Sequence, residues 1–156
     1  MVADSYDVLV KQFTNGCGIA VKNTANRLLQ ELQKYIQVDY YDMYEPLYYT
    51  PRTYKFLNSA IAKMVGQTTA SIGIDDAFFD YEYPARYRLL GSNNQPSGEN
   101  GHWTGEDQVY MADAGYHGNV NIYRDGHFFK DFLDYCNENA IPILKEELRK
   151  QKIEIE

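Results

Sequence analysis

Tyr35-Ile-Gln-Val-Asp-Tyr-Tyr-Asp-Met-Tyr-Glu-Pro-Leu-Tyr-Tyr-Thr-Pro-Arg-Thr-Tyr-Lys-Phe-Leu-Asn-Ser-Ala60 is the stretch on which the reading of this chain turns. It holds seven tyrosines (Tyr35, Tyr40, Tyr41, Tyr44, Tyr48, Tyr49 and Tyr54), two prolines (Pro46 and Pro51) and a basic step at Arg52 and Lys55. Helical periodicity precedes it and strand-like runs follow. Tyrosine supplies a large apolar ring with few rotamers and a hydroxyl that can pair at a wet edge. Proline fixes its own φ and pushes the residue before it, here Glu45 and Thr50, toward extended backbone. The stretch is therefore expected to be a built corner turning a helix into a sheet. Tyr and Arg are also enriched at protein interfaces, so its surface suits a partner.

Upstream, Ser5–Thr14 is expected to form a short first helix capped by Ser5, weakened at Asn15-Gly16 and Gly18. From Ile19 the periodicity is clear. Cys17, Val21, Ala25, Leu28, Leu32, Tyr35 and Ile36 recur at steps of three and four, with Lys22, Asn26, Gln30, Gln33 and Lys34 opposite. A helix over about 19–38 would be roughly 30 Å long. Its apolar side must be buried, most simply by the sheet that follows.

Downstream, Thr53 to Val65 reads as a strand. Gly66-Gln67-Thr68-Thr69 is the turn of a hairpin into Ala70–Ile74. Residues 77–90 read as an edge strand ending near Pro84. Gly91 to Gly105 contains four glycines, three asparagines and one proline, and is expected to be a long loop, over about 91–108, ordered by a neighbour. Short strand-like pieces follow in Val109–Ile122. The last part is helical: Phe128, Phe132, Leu133, Tyr135 and Cys136 share one side, with Asp125 as cap. Pro142 predicts a break near Asn137–Asn139 and a fresh helix edged by Ile143, Leu144 and Leu148. The whole, residues 1–156, reads as one domain of class α+β.

Composition limits the function. Hydrophobic residues make up 44% and charged residues 24%, an ordinary globular balance. A net charge of −7 and a pI near 4.9 argue against a grip on nucleic-acid phosphates, which needs a basic face. The first residues lack the pattern of a signal peptide, and no apolar run is long enough to span a bilayer, so a soluble protein of a reducing compartment is expected. Cys17 and Cys136 are too few and too far apart for a disulfide framework and read as small core residues.

No catalytic set assembles from the residues. His102, His117 and His127 stand in no ligand pattern, and no paired cysteines join them. Asp75-Asp76, Asp80 and Glu82 are close enough for an acid/base pair. Neighbouring strand residues point to opposite sides, however, so Asp75 and Asp76 more simply end a strand. The glycine-rich loop lacks the lysine of a phosphate cradle, and no serine sits in a nucleophile elbow. The reading is of a non-enzyme without cofactor or metal.

Ile36, Tyr40-Tyr41, Tyr44, Pro46, Tyr49, Arg52-Thr53-Tyr54 and Leu57-Asn58-Ser59, following an Ala/Leu/Lys helix, resemble the small neck proteins of long-tailed phages and prophages. These are the head–tail joining, tail-completion or minor capsid proteins. Gly115-Tyr116-His117-Gly118, with Phe128-Phe129 and the closing helix, resembles that family's last strand and C-terminal helix. The resemblance covers roughly residues 15–83 and 115–152, and residues 91–114 have no counterpart in it. It implies a long helix packed on a mostly antiparallel sheet with a C-terminal helix. It further implies assembly into a homo-oligomeric ring against portal, neck or tail proteins in the virion, after synthesis in the host bacterial cytoplasm. DNA would pass without specific binding, which an acidic surface suits, and no membrane is involved.

The residues that define the corner motif are Tyr41, Tyr44, Pro46, Tyr49, Arg52 and Tyr54, either as packing within the fold or as a contact to a partner. Trp103, in the glycine-rich loop, is the candidate for an intersubunit contact, since an exposed Trp is costly unless it docks. The alternative is a carbohydrate- or small-ligand-binding module using Trp103, Tyr110 and Tyr116. A carboxylate hydrolase with Trp103 and Tyr110 as a sugar platform is the third reading.

Overall fold

The structure, a computed structural model, describes residues 2–43, 54–79, 81–83, 101–103, 105–114 and 127–155. The elements in order are α1 (Val2–Ile36), a π-turn (Gln37–Tyr41), α2 (Lys55–Asn58), β1 (Ala60–Gly66), β2 (Thr69–Ile74), a 3₁₀ turn (Asp76–Phe79), β3 (Tyr81–Tyr83), β4 (Gly101–Trp103), α3 (Gly105–Asp113) and α4 (Phe128–Lys150). The class is α+β: a long N-terminal helix, a two-stranded antiparallel sheet with the helices packed on it, and a C-terminal helix. The chain forms two compact units, one of residues 1–32, 61–73 and 130–156, the other of 33–60 and 74–129.

In the first unit, Ala20, Thr24, Ala25, Leu28 and Leu32 of α1 are buried, as are Phe132, Ile143 and Leu148 of α4. The predicted α1 periodicity is the buried side. The weakening expected at Asn15-Gly16 and Gly18 does not interrupt the helix, and one α1 replaces the two expected helices. The glycines there answer a need for space rather than for a turn. A Cβ on Gly18 would stand 2.6 Å from the carbonyl oxygen of Gln67, at the hairpin tip, and one on Gly16 would stand 3.0 Å from Ile153 Cδ1. A two-residue turn, Gln67-Thr68, joins β1 to β2, as the sequence predicts.

Helix α4 also runs unbroken through Pro142. Pro142 and Ile141 lie on its exposed side, so the Glu138 carbonyl left without an N–H partner faces water. Burial of Ile143 and Leu148 just beyond holds the helix together across the proline. The helix stops at Lys152, whose φ of 60° is left-handed. There Ile153 N–H donates to the Leu148 carbonyl at 3.0 Å and Lys152 N–H to the Arg149 carbonyl at 2.9 Å. This paired closure satisfies the last carbonyls of the helix.

In the second unit, Ile36, Tyr41, Phe56, Ser59, Ala60, Ala112 and Phe128 are buried. Lys55–Asn58 is a helical turn, not the start of a strand, and β1 begins only at Ala60. Ser59 is the reason. Its N–H donates to the Lys55 and Phe56 carbonyls, at 2.9 and 3.2 Å, and its hydroxyl to the Phe56 carbonyl at 2.7 Å. Its own carbonyl accepts from Asp75 N–H at 2.8 Å, which places Asp75 just past the end of β2.

Strands β3 and β4 pair antiparallel, with Tyr81 opposite Trp103 and Glu82 opposite His102. Gly101–Trp103 is thus a strand, and Gly105–Asp113, read from sequence as loop and strand pieces, is a helix. Asp125, read from sequence as the cap of α4, lies outside the described residues. Among the described residues the start of α4 is held by Asp113, whose Oδ1 accepts from Phe129 N–H at 2.9 Å while its carbonyl accepts from His127 N–H at 2.7 Å. His127 itself is left-handed, with φ of 72°.

Candidate functional site

The corner motif falls in the second unit, and its described part is an aromatic row. At the end of α1 the chain widens into the π-turn, closed by Asp42 N–H donating to the Gln37 carbonyl at 2.8 Å. The turn presents Tyr40 and Tyr41 side by side, ring centroids 5.0 Å apart and nearly perpendicular. Tyr41 meets Tyr54 at 4.9 Å, and Tyr40 meets Phe56 at 5.0 Å. Phe56 continues to Phe128 at 5.4 Å and Phe128 to Phe129 at 6.3 Å. Perpendicular and tilted ring pairs each add about 0.5–1.5 kcal/mol beyond the area they bury. The row therefore stiffens the corner.

Tyr54 ends the row in a special state. Its φ of 52° and ψ of 22° are left-handed, and it stands directly before α2. Such a conformation costs a residue with a Cβ roughly 1–2 kcal/mol. The Tyr41 contact helps hold it, and Tyr54 remains 41% exposed while Tyr41 is buried. A strained, exposed ring backed by a buried one is a shaped surface feature. Of the motif, Tyr41 and Tyr54 are thus brought together, while Tyr44, Pro46, Tyr49 and Arg52 lie outside the described residues. Trp103 is placed in β4 opposite Tyr81. Tyr110, on α3, is 73% exposed, and Tyr116 lies outside the described residues.

The first unit holds a polar cluster that the sequence reading missed. Glu147 is a buried carboxylate, its side chain 4% exposed. Its Oε1 accepts from Arg27 at 3.0 Å and Lys150 at 2.7 Å, and its Oε2 from Asn23 at 3.1 Å. Glu146 accepts from Arg27 at 2.8 Å and pairs with Lys150 at 3.1 Å. Lys150, then Asn23 and Arg27, hold Glu147 below the usual carboxylate range against the upward push of burial. Arg27, then Lys150, do the same for Glu146. Glu147 and Glu146 in turn raise Lys150, and Glu146 and Glu147 raise Arg27. Every charge in the cluster is answered, so it clamps α1 to α4. The signal was Asn23 and Arg27 four apart on α1, matched by Glu146, Glu147 and Lys150 within one turn of α4.

Among the described residues no group of three or more His, Cys, Asp or Glu side chains could hold a metal ion, and no helix is long and apolar enough to cross a membrane. Cys17 and Cys136 are free and half-buried, and burial pushes the Cys136 thiol up. Comparison with known proteins returns no match: no family model, no curated protein and no solved structure is similar to this chain.

Proposed function

We propose that this chain is a structural protein of a tailed-phage virion, a head–tail connector or tail-completion subunit that assembles as a ring in the neck. The observation that carries the reading is the aromatic row that ends on Tyr54. The described part of the corner, Tyr40, Tyr41, Tyr54 and Phe56, is a set of touching rings that ends on a part-exposed Tyr54 with a left-handed backbone. Rigid, exposed tyrosines anchor protein contacts at low entropic cost. In this reading its partners are further copies of the chain and neighbouring portal, neck or tail proteins. It has no catalytic role, and DNA passes an acidic surface without being gripped. The alternative, a carbohydrate- or small-ligand-binding module, draws its support from the exposed ring of Tyr110.

The test is the mass of the purified protein across concentration, with negative-stain images, alone and mixed with the proteins encoded beside it. Rings, alone or on a neighbouring connector protein, are expected, and Tyr54→Ala weakens them. A monomer that joins none of these proteins and binds glycans saturably would transfer the assignment to the ligand-binding module.

A further inference from the structure

Among the described residues, the apolar side of α1 is longer than the protein that covers it. Ala20, Thr24 and Leu28 lie on one side of the helix and are buried. Toward the N-terminus, steps of three and four along the same side reach Cys17, Phe13, Val10, Leu9 and Tyr6. The C-terminal tail covers this helix at Gly16, where a Cβ would stand 3.0 Å from Ile153 Cδ1. Beyond that point Tyr6 is 65%, Leu9 63%, Val10 44% and Phe13 57% exposed.

We infer that this arm packs against the arm of a second copy of the chain. The inference deepens the reading above and rests on its premise that the chain self-associates. Area supports the choice of occupant. Two aromatic side chains, each of the 150–250 Å² class, and two aliphatic ones, all about half exposed, present on the order of 450 Å². Two such arms together bury on the order of 900 Å², close to the roughly 1,000 Å² that a specific interface needs. A patch of this size is in the range of the largest that a monomer leaves in water, and such patches often mark an interaction site.

Charge points the same way. The chain carries −7, a barrier to bringing two copies together. Over residues 6–15 the only charges are Asp7 and Lys11, which cancel. Both are exposed, and they stand four residues apart on the helix. Residues 6–15 are a net-neutral, largely apolar stretch on an acidic protein.

The experiment is sedimentation equilibrium of the full chain from low to high micromolar concentration, for the wild type and for Tyr6→Glu and Leu9→Glu. Both positions face solvent, and an unchanged circular dichroism spectrum establishes that the variants are folded. The expected result is self-association of the wild type, with a dissociation constant raised about tenfold or more by each charged substitution. Equal association of wild type and variants overturns the arm contact and leaves self-association standing through another surface. A wild type that stays monomeric also overturns it. If such a monomer binds phosphatidylglycerol vesicles through the arm, the occupant is a lipid surface. The neck reading is then judged separately, by recruitment onto neighbouring connector proteins.

Discussion

A glycine inside a helix costs roughly 0.5–1 kcal/mol relative to alanine. By propensity alone Gly18→Ala would therefore stabilise α1. The Gln67 carbonyl, 2.6 Å from the position of the added Cβ, reverses the sign. Overpacking against backbone costs about 1–3 kcal/mol, so Gly18→Ala is expected to lower stability, read as a lower denaturation midpoint at unchanged slope. A gain would mean that the hairpin tip moves aside freely. Glu147 gives a second test at this scale. Its folded pKa lies below the unfolded value, so its contribution is fully present above about pH 4.3 and is lost as pH falls through the depressed value. Glu147→Gln is expected to be less stable than wild type at pH 7, with the difference shrinking as pH falls below the usual carboxylate range. Parallel curves would show that the carboxylate charge contributes nothing. The clamp was hidden in the sequence because Arg27 and Glu147 are 120 positions apart. Tyr41 and Tyr54 were easier to single out, since they stand in a cluster of tyrosines on either side of Pro46 and Pro51.

At the scale of elements, a proline inside a helix costs about 3 kcal/mol, and its restriction of the unfolded chain returns roughly 0.4–1 kcal/mol. Pro142→Ala should then stabilise the protein by about 2 kcal/mol, measured by urea unfolding. A loss would show that the proline sets a bend that the packing of Ile143 and Leu148 requires. The sequence predicted a break here because local rules weigh the lost N–H and not the apolar burial on either side of it. The long periodic stretches, Leu28-Leu32-Ile36 and Phe128-Phe132, were legible because burial repeats along them. So was the hairpin, whose turn chemistry is local. Lys55–Asn58 was misread as strand, since Ser59 closes that turn through bonds that no periodicity records. In α3, Gly105 and the isolated Val109 and Ala112 gave too weak a pattern to declare a helix.

At the scale of the molecule, net charge and apolar contact oppose each other. Copies carrying −7 repel at low salt, while association through a neutral arm is indifferent to screening. Self-association should therefore strengthen as salt rises from about 0.01 to 0.1 M, where the screening length falls from about 30 to 10 Å. Weakening with salt, seen in the same sedimentation experiment, would point to paired charges at the interface instead. Asp113, the last residue of α3, holds the start of another helix 16 residues on. The opening turn of α4 is therefore expected to gain this anchor only once the chain between Asp113 and Phe129 has closed. Protection of the Phe129 amide against hydrogen exchange should then appear after that of the helix interior, and fail first when the protein opens.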